Sequence, residues 1–276
     1  MGIVIGVDIG GSSTKICGFN TKDTLIEPLI VKSSDPLASF YGAFGKFTQL
    51  NHIALKNIEA VMVTGVGSTF IIENPYGLPT FHVPEFDSIG MGGQYLSRLQ
   101  KALVVSMGTG TAVVLAENGN LTYLGGTGVG GGTVIGLSKL LLDLRSMEHI
   151  SALANDGDLS KIDLRLQDIS NKNIIATLPP DTTASNFGKL SDIASREDIA
   201  CGIMNMVFES IGMLAVFAAR NYHLQDIVLT GNLAILPQAS KTFSKLGTMF
   251  GMNFIIPNSA QFSPVIGSAL TYFITH

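Results

Sequence analysis

The sequence predicts an α/β protein made of two similar halves, and three observations carry that reading. Short runs of β-branched and aliphatic residues alternate with helical stretches along the chain. A strand, a Gly/Ser/Thr turn and a second strand occur twice, as "GVDIGGSSTKICGF" at 6–19 and "VVSMGTGTAVVLAE" at 104–117. No stretch reads as a linker long enough to separate independent domains. Two such units suggest two lobes facing each other, 1–101 and 102–276, with the boundary near Lys101.

The elements follow in order. "GIVIGVDIG" and "TKICGF" read as a hairpin and "IEAVMVTGVG" as the third strand. "EFDSIGMGGQYLSRLQ" reads as a helix. "ALVVSMGTGTAVVLAENGNLTYLGG" repeats the hairpin, and its "NGN" turns into a further strand. A helix is expected from about Thr133 to Arg145, then a mostly polar stretch to about Ser195, broken by Pro179 and Pro180. The long helix from "CGIMNMVFESIGMLAVFAAR" is launched by "SRED", a capping box from Ser195 to Asp198. Strand "DIVLTGN", a helix, strand "NFIIP" and helix "PVIGSALTYFI" complete the chain.

Composition narrows the class. The 276 residues are 46% hydrophobic and 14% charged, with net charge −4 and mean hydropathy +0.38. Such a chain fits large buried surfaces, a subunit interface among them. Its charge gives no reason to expect nucleic acid or an anionic membrane as partner. Only Cys17 and Cys201 occur, with no CxxC and no Cys/His cluster, so a reducing, cytoplasmic location is expected. The start shows no basic leader and cleavage site. Asn205 and Glu209 interrupt the long apolar run, which reads as a buried helix and not a membrane span.

The glycine-rich turns are the candidate chemistry. Amides in such a turn converge on an anion, and glycine lets phosphate oxygens reach the main chain. Lys15 can lay a point charge along a phosphate. Asp8 can orient Mg²⁺ through water, or it can simply cap an ordinary hairpin. A third turn, "GGTGVGGG" at 125–132, contains GxGxxG at Gly126, Gly128 and Gly131. The strand ending in an acidic residue that a dinucleotide unit requires does not follow it. "GK" at Gly45 and Gly188 lacks the next Ser or Thr of a Walker A motif. Three phosphate-type turns over two halves imply a nucleotide in the cleft between them.

Together these features resemble the actin-like ATPase superfamily of sugar kinases, Hsp70 and actin, whose fold is two-lobed and ribonuclease H-like. The blocks "PEFDSIGMGG", "SMGTGTAVV", "GGTGVGGGTVIGLSKLL", "NDGDLSKIDLRLQDI" and "PPDTTASNFGKL" are similar in order and spacing to type II pantothenate kinases. That resemblance implies ATP- and Mg²⁺-dependent phosphorylation of pantothenate, the entry step to coenzyme A, by a homodimer. It makes Glu85 the catalytic base, although a first-turn glutamate also suits the helix dipole alone. It makes Gly10, Gly11, Ser12, Ser13, Thr14 and Lys15 the first ATP turn, and Gly108, Thr109 and Gly110 the second. The amides of Gly130, Gly131, Gly132 and Thr133 would cradle phosphates or ribose, and Gly231 and Asn232 would lie on the adenosine side. Asp8 would be the metal ligand.

Two departures bear on the acceptor. Tyr123 stands where the family usually has an arginine, leaving Lys101, Arg98 and Arg145 as the cations to replace it. Pro264 stands where glycine or alanine is frequent. A pantoyl compound such as pantetheine is therefore expected as a second candidate acceptor. The residues also leave open an amino-sugar kinase of the same superfamily and a non-catalytic nucleotide or acyl-CoA sensor. Regulation by coenzyme A or its thioesters is left open by the residues. Dehydratase activators of this superfamily need an iron–sulfur cluster, for which Cys17 and Cys201 are unconvincing ligands.

Overall fold

The computed structural model describes residues 2–11, 13–21, 24–32, 35–170 and 178–275. Five strands, β1 (Ile3–Ile9), β2 (Ser13–Thr21), β3 (Thr24–Lys32), β4 (Ile58–Thr64) and β5 (Thr80–His82), form a first sheet in the order β3-β2-β1-β4-β5. Next in the chain come β6 (Lys101–Met107), β7 (Thr111–Glu117), β8 (Asn120–Thr127), the small separate pair β9 (Leu164–Arg165) and β10 (Thr183–Ser185), then β11 (Asp226–Thr230) and β12 (Asn253–Ile255). The second sheet runs β12-β11-β6-β7-β8. In both sheets three strands are antiparallel and the next two join in parallel. The repeated hairpin of the sequence is thus the visible part of a repeated sheet.

The helices are α1 (Pro36–Leu50), α2 (Glu85–Ser97), α3 (Gly131–Leu142), α4 (Met147–Asn155), α5 (Leu166–Ile169), α6 (Arg196–Asn221), α7 (Pro237–Phe250) and α8 (Ser263–Thr275). α1 covers one face of the first sheet with Phe40, Phe44 and Phe47 against Ile5, Val7 and Ile16. Each such phenylalanine contributes about 1.5–3 kcal/mol by burial. The second sheet sends Leu103, Val105 and Met107 towards α6, and Ala102 and Val104 towards Ile89 of α2. α6 alone among the described helices is long and apolar enough to cross a membrane, and it lies inside this core. The Ser195–Asp198 box forms: Ser195 N donates to Asp198 Oδ2 at 2.9 Å and Asp198 N to Ser195 Oγ at 3.2 Å.

α2 and α8 pack along each other between the two sheets. A β-carbon on Gly92 would collide with the Ser263 carbonyl, and one on Gly267 with the Ser88 carbonyl. These two positions must be glycine for the helices to come so close. α8 then lies on β1, β2 and β4, whereas α2 lies on β6, β7 and β8.

Several expectations change. "IEAVMVTGVG" holds the fourth strand, because "TLIEPLIVK" forms β3 as the sheet's edge, where Pro28 removes no needed donor. α1 has no counterpart among the expected elements, and the polar stretch before Ser195 contains α4, α5 and the β9–β10 pair. The third helix begins at Gly131 and ends at Leu142. A boundary at Lys101 assigns α8 to the second lobe, but its apolar side chains, Val265, Ile266 and Ala269, pack with Val4 and Phe19 of the first sheet.

Candidate active site

Both glycine-rich hairpins open onto one cavity of about 710 Å³ between the sheets. From the first hairpin it is lined by Asp8, Gly10, Gly11, Ser13 and Lys15, and from the second by Gly108, Thr109 and Gly110. Glu85 at the start of α2 and Gly231 with Asn232 after β11 reach the same space. These segments converge because β1 and β6 are equivalent central strands, so their turns leave the sheets at corresponding edges.

Asp8 and Lys15 are cross-strand neighbours in the β1–β2 ladder. Lys15 is 7% exposed, and among the described residues neither it nor Asp8 makes an ion pair or side-chain hydrogen bond. Burial pushes the Asp8 carboxyl above its ordinary range, partly offset by the Lys15 charge. Burial likewise pulls the Lys15 ammonium down, offset by Asp8. Charges held this way, close but unpaired, are suited to an incoming ligand.

Glu85 occupies the first position of α2 and its carboxyl is raised, first by burial and then by the charge of Asp8. A small network fixes the helix turn that carries it. Ser88 Oγ donates to the Pro84 carbonyl and shares a hydroxyl–hydroxyl hydrogen bond with Thr64 Oγ1, both at 3.1 Å, and Thr64 is the β4 neighbour of Asp8. The chain after β4 closes on Asp8 at Gly65, where φ is 85° and a β-carbon would lie 2.6 Å from Asp8 Oδ1, which excludes a side chain.

Five expected positions do something other than line the cavity. Thr14 alternates to the opposite face of β2, where its Oγ1 accepts from Ser39 of α1 at 2.7 Å. Gly131 N donates to Gly108 O and Gly132 N to Thr109 O, each at 2.9 Å. Those two amides hold the second hairpin turn and do not face a ligand. Thr133 Oγ1 accepts from Gly130 N at 3.2 Å and donates to Gly128 O at 3.1 Å, closing the helix start. Ser12 lies outside the described residues.

The sequence reading misses the most conspicuous wall. Phe86 and Tyr123 stack face to face at the cavity, ring centroids 3.8 Å apart and planes 8° from parallel. They are 37% and 46% exposed. Lys15 is the one cationic side chain among the described lining residues. Lys101 instead pairs with Glu117 at 2.8 Å, and neither Arg98 nor Arg145 lines the cavity. Pro264 does line it, at the start of α8. Cys17 is buried against α8, and Cys201 lies on α6 in a separate core.

A Mg²⁺ ion fits this donor set in the way magnesium usually binds: one carboxylate, Asp8, beside a space for phosphate oxygens and water. No group of three His, Cys, Asp or Glu side chains among the described residues forms a closed metal cage.

The chain is similar to known proteins in both sequence and fold. The model of the Fumble family matches residues 67–253. A type II pantothenate kinase of Bacillus cereus (strain G9842) is 29% identical over 238 residues, covering 83% of each chain. One from Oceanobacillus iheyensis is 29% identical over 247 residues, covering 82% of this chain and 83% of the relative. Among solved structures, the activator of 2-hydroxyisocaproyl-CoA dehydratase from Clostridium difficile with bound ADPNP superposes with TM-score 0.70 at 16% identity, covering 99% and 95%. A ROK family glucokinase from Streptomyces griseus, in complex with glucose and AMPPNP, gives 0.61 at 13% identity, covering 97% and 98%. These likenesses establish an actin-like ATPase fold.

Proposed function

The chain belongs to the Fumble family, and from that premise we propose an ATP-dependent kinase that phosphorylates the primary hydroxyl of pantothenate or of a close pantoyl compound. It is a phosphotransferase with an alcohol acceptor. The observation that carries the reading is a single cavity holding both glycine-rich hairpins, Lys15, Asp8 and Glu85.

The chemistry follows from the residues. The acceptor oxygen attacks the γ-phosphorus of ATP, its proton passes to Glu85, and the β–γ bridging oxygen leaves with ADP. Lys15 and the amides of Gly11, Thr109 and Gly110 stabilise charge on the transferring phosphoryl group. Asp8 would hold Mg²⁺ through water, and the ion, when bound, neutralises the β- and γ-oxygens. Ser88 and Thr64 hold the first turn of α2, so Glu85 is aimed before substrate arrives. Gly231 and Asn232 follow β11 at the nucleoside end.

The Phe86–Tyr123 stack favours an acceptor with an uncharged body. A flat amide packs on an aromatic face, whereas a carboxylate finds no arginine or second lysine among the described lining residues. Pantetheine is therefore the acceptor best suited to this wall. The protein is further proposed to be a cytoplasmic homodimer, joined through apolar residues such as Leu140, Leu141 and Phe217, which are 51–78% exposed; light scattering tests that.

Coupled ADP release with pantothenate, pantetheine and N-acetylglucosamine, with and without coenzyme A, is the central experiment. Turnover is expected on a pantoyl compound. Glu85→Gln is expected to lose about 10²–10⁴-fold in kcat while ATP affinity is unchanged. Turnover of the amino sugar alone, or ATP binding with no turnover on any acceptor, overturns the reading.

A further inference from the structure

A second cavity of about 450 Å³ lies between α4, α6, α7 and β10, and it shares no lining residue with the cleft. We propose that it is a ligand site for a single-chain anionic amphiphile: an aliphatic chain ending in one carboxylate or phosphate group.

Its volume is within the range of small-molecule sites. The floor is apolar and adaptable, built from Met204 and Met213 of α6 and from Leu246, Met249 and Phe250 of α7. Methionine, unbranched and polarisable, conforms to a chain without a fixed shape. α7 turns Gln238, Lys241, Lys245 and Met249 to the cavity at helical spacing, so its polar end and its apolar end lie along one wall.

The rim sets the head-group charge. Lys245 is already paired with Asp181 Oδ2 at 2.8 Å and donates to the Asp181 carbonyl at 2.9 Å. Glu209 is occupied too, accepting from Thr183 Oγ1 at 2.9 Å and Asn186 Nδ2 at 3.1 Å. Among the described residues, Lys241 has no ion pair or hydrogen bond. Arg165 adds a further cation to the lining, and its charge helps to lower the pKa of Asp158, Asp168 and Asp181. Burial holds the Cys201 thiol above its ordinary value, and the Lys241 charge offsets that in part. Arg165, Lys241 and Lys245 exceed Asp181 and Glu209 by one positive charge in the lining, and a polyanion would meet those two carboxylates. A single negative head satisfies the rim, and the chain covers the methionines.

Calorimetry on the full chain tests this with dodecanoate and dodecyl phosphate, each below its micelle concentration, and with dodecyltrimethylammonium as the opposite-charge control. Saturable one-to-one binding of at least one anionic probe, and none of the cationic one, is expected; the stronger of the two identifies the head group. Lys241→Glu is expected to weaken it about tenfold, the scale of one charge-assisted hydrogen bond. Met213→Trp should abolish it by filling the floor, and Thr242→Trp serves if that variant loses its circular dichroism. A non-hydrolysable ATP analogue should bind both variants as it binds the parent and should not displace the amphiphile. Failure of both anionic probes to bind, equal binding of the cationic probe, binding unaffected by either plug, or displacement by the ATP analogue overturns the proposal.

Discussion

At Asp8, Lys15 and Glu85, charge is kept in a place that penalises it, and this has a measurable cost in the ligand-free protein. Both carboxyls are raised by burial, so folding disfavours their ionised forms. For Glu85 the penalty is absent below the ordinary carboxylate value of 4.5, grows as pH rises past it, and is complete above the folded-state value. Glu85→Gln is therefore expected to melt higher than the parent at pH 8, by a small margin because the residue is exposed and solvent screens its charge, with the gap closing near pH 4, as calorimetric melting at the two pH values will show. The same residue predicts the acid limb of activity. A base must be ionised, so kcat/KM should fall with decreasing pH at a point above that of a free glutamate. Glu85, Lys15 and Asp8 can be singled out in the sequence because each sits in a motif. The Phe86–Tyr123 stack cannot, since it joins α2 to β8 through tertiary packing alone.

Among the elements, the repeated hairpins and the long capped helix are readable because glycine turns and capping boxes act over a few residues. β3 and α1 are not. β3 contains Pro28, which argues against a strand unless the edge position is known. α1 has phenylalanines at helical spacing, Phe40, Phe44 and Phe47, but they lie beside no motif that draws attention. The α3 start reads as ligand-facing, because a glycine run looks the same whether its amides face a phosphate or a neighbouring turn. Its hydrogen bonds to Gly108 and Thr109 decide for the latter. The α2 start is held by Ser88, which gives an element-scale prediction. Ser88→Ala removes the bonds to Thr64 and Pro84 and is expected to lower kcat several-fold with little change in ATP affinity. A purely structural role would alter melting and leave kcat per folded molecule intact. Gly92→Ala places a methyl on the Ser263 carbonyl and should cost at least about 1–3 kcal/mol, read by denaturant unfolding.

For the whole molecule, the two-sheet plan is legible from the internal repeat, but the partition of the chain is not. Nothing local in "PVIGSALTYFI" says that this helix belongs against β1 and not against the strands that precede it. The crossed placement of α2 and α8 has a direct consequence. Each half carries the helix that covers the other's sheet, so neither is a self-sufficient folding unit. Fragments 1–98 and 99–276, made separately, should expose bare sheet faces and aggregate; made together in one cell, they should co-purify as a reconstituted protein. The glycine seam between α2 and α8 is therefore where the two halves grip each other, and a side chain placed there would push them apart.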